Sequence, residues 1–374
     1  MGNSRMNIYR ASEILKVPER RILDFSNPVN PLGVSKKVKA ELRKHLKSLK
    51  NRPDPECARM RRHLSRHLDV DMDNMICGNT VSGLISSVVA VLRPQRVLIP
   101  VPSPPECLRA VVQVMLPGTH DSGKDVPDMV KYLELKEDDN FCIKPGEFIT
   151  GIDGCDLAIL PNPNNPTGSV VAKGEIAGIA SAARDRKCYL LVDETFIDFI
   201  PDETVINAVR DNPYLVVLRS VQQFHALAGL GPAYGVMDRE LVKTIEVSGS
   251  LYPVNLLAQR AAVIAMKDKV YKKEALVLLR EEKRFLEREF KKLGLDFFPS
   301  AVNFYLIKIP FAGELCDFLM KKYILVRRCD DFRGLGGDYI RIAVKNHREN
   351  SVLIKALKEF MSGWSLPEQL PAAK

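Results

Sequence analysis

The chain has 374 residues, 46% of them hydrophobic and 27% charged, which suits two domains or one large α/β unit with a sizeable buried core. Its net charge is +9, and no run approaches the roughly 18 apolar residues of a membrane span, so an integral helical membrane protein is excluded. Eight scattered cysteines without a CxxC pair argue against a zinc site or a disulfide framework and for a reduced, cytoplasmic setting.

The first residues, "MGNSRMNIYR", lack the apolar region of a signal peptide. Met6 stands where a myristoylation signal needs Ser or Thr. Residues 35–52 follow with eight Lys/Arg and one Glu. Val38, Leu42, Leu46 and Leu49 recur at helical spacing there, which predicts an amphipathic helix with a basic coat. Such a coat is a solvated face in most proteins. It also attracts anions, so nucleic-acid binding through 35–66 is carried as an alternative, although no nucleic-acid-reading signature supports it. His63 and His67 lie four apart on the next helix, without a carboxylate between them, and no metal is expected.

Apolar runs then alternate with helical patterns. Strands are predicted at 96–102, 157–163, 188–194, 215–220 and 233–237, with a helix over 173–186. Continuous apolar strands between helices imply a mostly parallel sheet covered on both faces. A long charged helix over 273–294 leads into further strands at 301–309, 323–329 and 339–345, read as a smaller α+β domain. The expected division is an N-terminal arm (1–35), a large cofactor-type domain (36–250) and a small C-terminal domain (251–374).

Ligands of open parallel sheets sit beyond the carboxyl ends of the strands. Asn165, Asp193 and Ser220 stand at three such ends. Each alone also suits a turn or a helix cap. A buried aspartate is costly unless paired, and a cationic ligand atom is one partner that would serve.

"LPNPNNPTG" (160–168), "LLVDETFIDFIPDET" (190–204) and "VLRSVQQFHALAGLGPAYGV" (217–236), in this order, resemble the fold-type-I pyridoxal-phosphate (PLP) family, the class I/II aminotransferase fold. Within it the chain is most similar to the threonine-phosphate decarboxylase branch of cobalamin biosynthesis, then to histidinol-phosphate aminotransferases. The resemblance implies a PLP-dependent transferase-like α/β large domain, a small α+β domain and a homodimer. PLP needs its ring nitrogen kept protonated, and Asp193 matches the residue that does so. Asn165 matches the partner of the ring hydroxyl. "GNTVSGLISSVV" (78–89) resembles the phosphate cup, with Asn79, Thr80, Val81 and Ser82 at a helix start and Ser220 reaching in. Arg327 and Arg341 match the guanidinium pair that receives the substrate carboxylate, and Asn30 falls in the matching N-terminal substrate segment.

The resemblance also implies a lysine three residues after Ser220, which would form the Schiff base with PLP and move protons. That position is Gln223, which can do neither. The family's phosphate-binding arginine falls on Gly231, its ring-stacking aromatic on Cys107, and its partner-reaching tyrosine on Arg52. The acidic and glycine residues of the cup become Thr80, Val81 and Gly83, and a His-Gly-Gly segment becomes Ser4, Arg5 and Met6. Each lost charge-assisted contact is worth about 1.5–3 kcal/mol, enough together to weaken PLP binding by orders of magnitude. PLP is therefore expected, if bound, to be held without a covalent bond.

Two readings follow. In one the chain is a degenerate relative that binds a small anion or a phosphorylated amino acid, or pairs with an active paralogue. In the other it is an enzyme that uses PLP or pyridoxamine phosphate without the lysine, as a decarboxylase or aminotransferase, with His225 two residues on as a candidate replacement. An extended segment would put His225 on the same side as Gln223; a helical one would turn it away.

Overall fold

The computed structural model describes residues 6–116 and 129–363; Ser4 and Arg5 lie outside them. A seven-stranded sheet forms the centre, in the order Met75–Gly78, Ala233–Val236, Leu215–Ser220, Tyr189–Asp193, Leu157–Pro161, Val97–Val101 and Val130–Glu134. Only Ala233–Val236 runs against its neighbours. The five strands expected from apolar runs all form. The two edge strands escaped notice because one is only four residues long and the other, "VKYLE", is half-polar and only partly buried.

Side chains alternate across this sheet as the two-residue period of a strand requires. Ala158, Leu160, Leu190, Val192, Leu215 and Val217 face one core, with helices Ala58–Leu68 and Lys173–Asp185. Ile159, Leu191, Val216 and Leu218 face the other, beneath Val81–Leu92 and Pro105–Met115. Both faces are thus covered, which explains why the strands read as unbroken apolar runs.

A second, antiparallel sheet of four strands runs in the order Arg327–Arg328, Tyr339–Ala343, Phe304–Lys308 and Asp296–Phe297. The 24-residue helix Lys269–Lys292 buries Tyr271, Ala275, Leu279, Leu286 and Phe290 into the same core. The N-terminal segment joins this unit: Leu23–Asp24 pairs in parallel with Ile324–Leu325, and Phe25 is fully buried in its core. Helix Leu256–Lys267, although beyond residue 250, packs Ala258, Ala261 and Ala262 into the large-domain core.

The basic segment forms helix Lys36–His45 and then a 3-10 stretch, Leu46–Lys50. Its apolar stripe is shorter than its spacing suggests. Val38 and Leu42 meet the core, whereas Leu46 and Leu49 are more than half exposed because the 3-10 turn takes them off the helical face. His63 and His67 do share a face, with ring centroids 6.0 Å apart. Burial, helped by neighbouring lysines, holds both imidazoles below their ordinary pKa. No helix among the described residues is long and apolar enough to cross a membrane. None of them forms a group of three or more His, Cys, Asp or Glu placed to hold a metal.

Candidate functional site

Strand register sets the site. Pro161 pairs with Asp193, and Asp193 with Leu218, so the loops after three parallel strands emerge at one edge. Against that edge lie the N-terminus of helix Val81–Leu92 and the small domain, enclosing a cavity of about 330 Å³. Asp193, Asn165, Ser220 and Gln223 line it from the strand ends. Thr80, Val81 and Ser82 line it from the helix start, and Arg327 and Arg341 from the small-domain sheet.

Asp193 is 6% exposed. Its Oδ1 accepts from the Thr195 amide at 2.9 Å and the Thr195 hydroxyl at 2.5 Å. Among the described residues Oδ2 accepts nothing, and no cationic side chain pairs with this carboxylate. Burial raises its pKa to about 6, against the lowering pull of the two Thr195 bonds. It is a carboxylate held at some cost, pointed into a cavity.

Arg341 is its cationic counterpart. The guanidinium is buried on strand Tyr339–Ala343 and donates only to neutral oxygens, Asn165 Oδ1 at 2.5 Å and the Ser26 carbonyl at 2.6 Å. Its Nε has no hydrogen-bond partner, and burial lowers its pKa to about 10. Arg327 differs from the expected open fork: it takes both oxygens of Asp331 at 2.8 Å. The cavity thus offers one guanidinium without a carboxylate partner and one already committed to its own.

Gln223 sits in a turn after strand Leu215–Ser220. Its Oε1 accepts from the Ser220 hydroxyl at 2.9 Å, and that hydroxyl in turn accepts from the Gln222 amide. Asn30 does not line the cavity. It is buried beneath the turn, donating through its backbone to the Gln223 carbonyl at 2.9 Å and through Nδ2 to the Phe224 carbonyl at 2.8 Å. The predicted substrate contact is therefore a brace for the Gln223 turn, because the chain folds back there with Asn30 already inside.

His225 is on the wrong side to replace a lysine. The turn places it 2% exposed, absent from the cavity wall, with Nε2 3.9 Å from Asp198 and its ring stacked on Tyr271. Burial lowers its pKa to about 4. Of the two alternatives, the one that turns His225 away from Gln223 holds, because this stretch is a turn rather than an extended strand.

The helix start keeps the form of an anion cup. Thr80 is the N-cap: its Oγ1 accepts from the Gly83 amide at 3.0 Å and lies 3.2 Å from the Ser82 hydroxyl. Helix N-termini carry free amides and a partial positive charge. Asn79 lies outside the wall, donating to the Tyr252 and Pro253 carbonyls. Cys107 does line the cavity, where burial and the nearby Asp193 charge keep its thiol protonated. Arg52 is exposed and away from the wall.

Other wall residues were missed. Thr195 follows Asp193 by two, the spacing of a side-chain turn, and that spacing was the available signal. Glu106 opens helix Pro105–Met115 at the cavity rim and leans towards Arg109, 3.5 Å away. Phe332 stacks under the Arg327 guanidinium, with 5.1 Å between the guanidinium carbon and the ring centroid, and had no local signal.

Comparison with known proteins agrees with this geometry. The family described as "Aminotransferase class I and II" matches residues 20–357. Threonine-phosphate decarboxylase from Salmonella typhimurium is 30% identical over 361 residues, covering 96% of each chain. The solved histidinol-phosphate aminotransferase from Clostridium acetobutylicum superposes with a TM-score of 0.82 at 27% identity, over 92% of this chain and all of that one. Another, from Sinorhizobium meliloti and solved in complex with pyridoxal-5'-phosphate, shares the fold at a TM-score of 0.81 and 18% identity, over 96% of each chain. A match that runs unbroken through both sheets and every wall of the cavity makes this chain a member of the class I and II aminotransferase family.

Proposed function

We propose that this chain is a ligand-binding member of a PLP-dependent family that has given up Schiff-base catalysis. Its ligand is a small carboxylate-bearing anion such as a phosphorylated amino acid. One observation carries the reading. Gln223 occupies the lysine position with its amide oxygen taken by Ser220, while Asp193 and Arg341 across the same cavity both lack a partner of opposite charge. Binding groups are kept and the nucleophile is gone.

The residues present fit a pyridoxal or pyridoxamine phosphate held without a covalent bond. Asp193 would face the ring nitrogen, Asn165 the ring hydroxyl, and Thr80, Val81 and Ser82 the phosphate. When bound, that group supplies an electron sink. The chain's own contribution is to bind and orient: Arg341 receives a carboxylate, Asp193 holds a proton at its partner nitrogen, and Ser220 positions Gln223. The family relationship and the exposed Arg52 segment favour a dimer, with a second copy or with a catalytically complete relative.

The test is a titration with PLP and with pyridoxamine phosphate, following cofactor absorbance with and without O-phosphothreonine. Reversible binding without O-phosphothreonine turnover is expected; turnover would overturn the reading. Gln223→Lys is expected not to restore a stable covalent attachment, because Gly231 and Cys107 remain, and a fully active single variant would show those positions to be unimportant. Arg341→Gln should weaken O-phosphothreonine binding by about tenfold or more in calorimetry, from the loss of about 1.5–3 kcal/mol in charge-assisted bonds. Unchanged affinity would remove Arg341 from the site.

A further inference from the structure

We propose that the helical hairpin of residues 35–66 is a docking face for an anionic lipid bilayer, separate from the cavity described above. The segment holds twelve Lys/Arg and three Asp/Glu, a net +9 that equals the net charge of the whole chain. The remaining sequence is therefore balanced, and the excess sits in one place. None of these residues lines the cavity.

The fold gathers this charge onto one layer. Helices Lys36–His45 and Ala58–Leu68 both pack on helix Leu256–Lys267. They run along it in opposite directions. Lys37 bonds Asp268, at its C-terminal end, at 2.8 Å, while Gln259, near its N-terminal end, donates to the Asp54 carbonyl at 2.8 Å. The inner faces bury Val38, Met60 and Leu64. Of the twelve cations only Lys37 and Arg61 have a carboxylate partner among the described residues, Asp268 and Glu246. The other ten are exposed. The segment's own carboxylates offset them little. Glu41 lies 3.6 Å from His45, and Asp54 accepts from the Glu56 and Ala58 amides at 3.1 and 2.8 Å.

The tip of the hairpin decides the partner. Residues three apart stand in line in a 3-10 stretch, so within Leu46–Lys50 the two leucines form one row and Lys47 and Lys50 the next. Leu46 is 52% exposed and Leu49 58%. An apolar row flanked by cations suits a bilayer surface. The leucines enter the boundary between head groups and acyl chains, and the lysines meet the lipid phosphates. A nucleic acid would leave the leucines in water, and residues 35–66 hold no Phe, Tyr or Trp on which a base could stack. A two-fold contact with a second copy would set this charge against itself.

The full-length protein is sedimented with vesicles of phosphatidylcholine alone and of phosphatidylcholine mixed with phosphatidylserine. Binding is expected to the mixed vesicles only, and should vanish as salt is raised to about 1 M, where charges are screened within about 3 Å. Lys47→Glu/Lys50→Glu should weaken binding by about tenfold or more. Leu46→Ser/Leu49→Ser should weaken it by about fivefold or more. Both variants should keep the parent's thermal midpoint, because all four side chains are exposed. The lipid and salt dependence of the unaltered protein stands without any variant. No binding to the mixed vesicles at low salt overturns the proposal, as does equal binding to the neutral ones. So does a leucine variant that binds like the parent, or one that loses self-association, which would assign the leucines to a contact between copies. Tighter binding to duplex DNA or RNA than to vesicles at equal phosphate concentration overturns it as well.

Discussion

Asp193→Asn should stabilise the free protein by about 3 kcal/mol at pH 7–8 and leave it nearly unchanged near pH 4. The cause is the burial that raises Asp193 to about 6, from an ordinary value near 3.8. A carboxyl whose folded pKa lies above its unfolded one favours the folded state only while protonated. Its contribution is complete below pH 4 and is lost as pH rises through 6. Above that, the charged side chain sits in the cavity without a cation, with only Thr195 to bond it. An amide of the same shape keeps the Thr195 contacts and removes the charge. Urea denaturation of both proteins across pH 4–8 measures the difference, and a variant less stable at pH 7.5 would refute it. The same substitution should weaken a ligand that brings a protonated nitrogen to this point. Opposite signs for stability and for binding would mark Asp193 as retained for its ligand.

Much of the large domain was legible because burial on both faces leaves a plain record. "LAILP", "YLLVD" and "LVVLRS" are continuous apolar runs that end in polar residues, and those ends became the cavity floor. The cavity wall assembles from Asp193, Asn165, Thr80 and Arg341, far apart in the chain, yet each stood in a recognisable stretch. What escaped is what depends on local path and long-range packing. One turn decides whether His225 faces Gln223, and the sequence holds no period long enough to fix it. Asn30 and Asp331 were misjudged or unseen for a related reason. Their partners, the Gln223 carbonyl and the Arg327 guanidinium, are set by how the chain folds back on itself. The 3-10 stretch at Leu46–Lys50 broke an apolar spacing that looked regular on paper.

Gly231→Arg, which would supply the phosphate-binding arginine that the resemblance implies at this position, should destabilise the protein by about 2–5 kcal/mol, the sum of left-handed backbone strain and overpacking. Gly231 has φ +74, a conformation that favours glycine. A Cβ there would stand 2.6 Å from the Asn79 carbonyl oxygen. That oxygen cannot swing away cheaply, because Asn79 is tied through its side chain to Tyr252 and Pro253 and is followed at once by the Thr80 cap. The turn is also fixed from its own side: the Gly231 amide donates to Leu227 at 3.1 Å, and its carbonyl accepts from Gln222 Nε2 at 3.0 Å. Gly231→Ala isolates the backbone and Cβ share and should already carry most of the cost. Denaturation midpoints of the two variants within about 0.5 kcal/mol of the parent would refute the clash, since that is the range of uneventful surface changes. If the cost is found, Gln223 and Gly231 are not independent losses. The Gln222 bond to Gly231 and the Ser220 bond to Gln223 make one turn of the two positions, and a lysine restored at 223 alone would still project from a turn with no room for the arginine at 231.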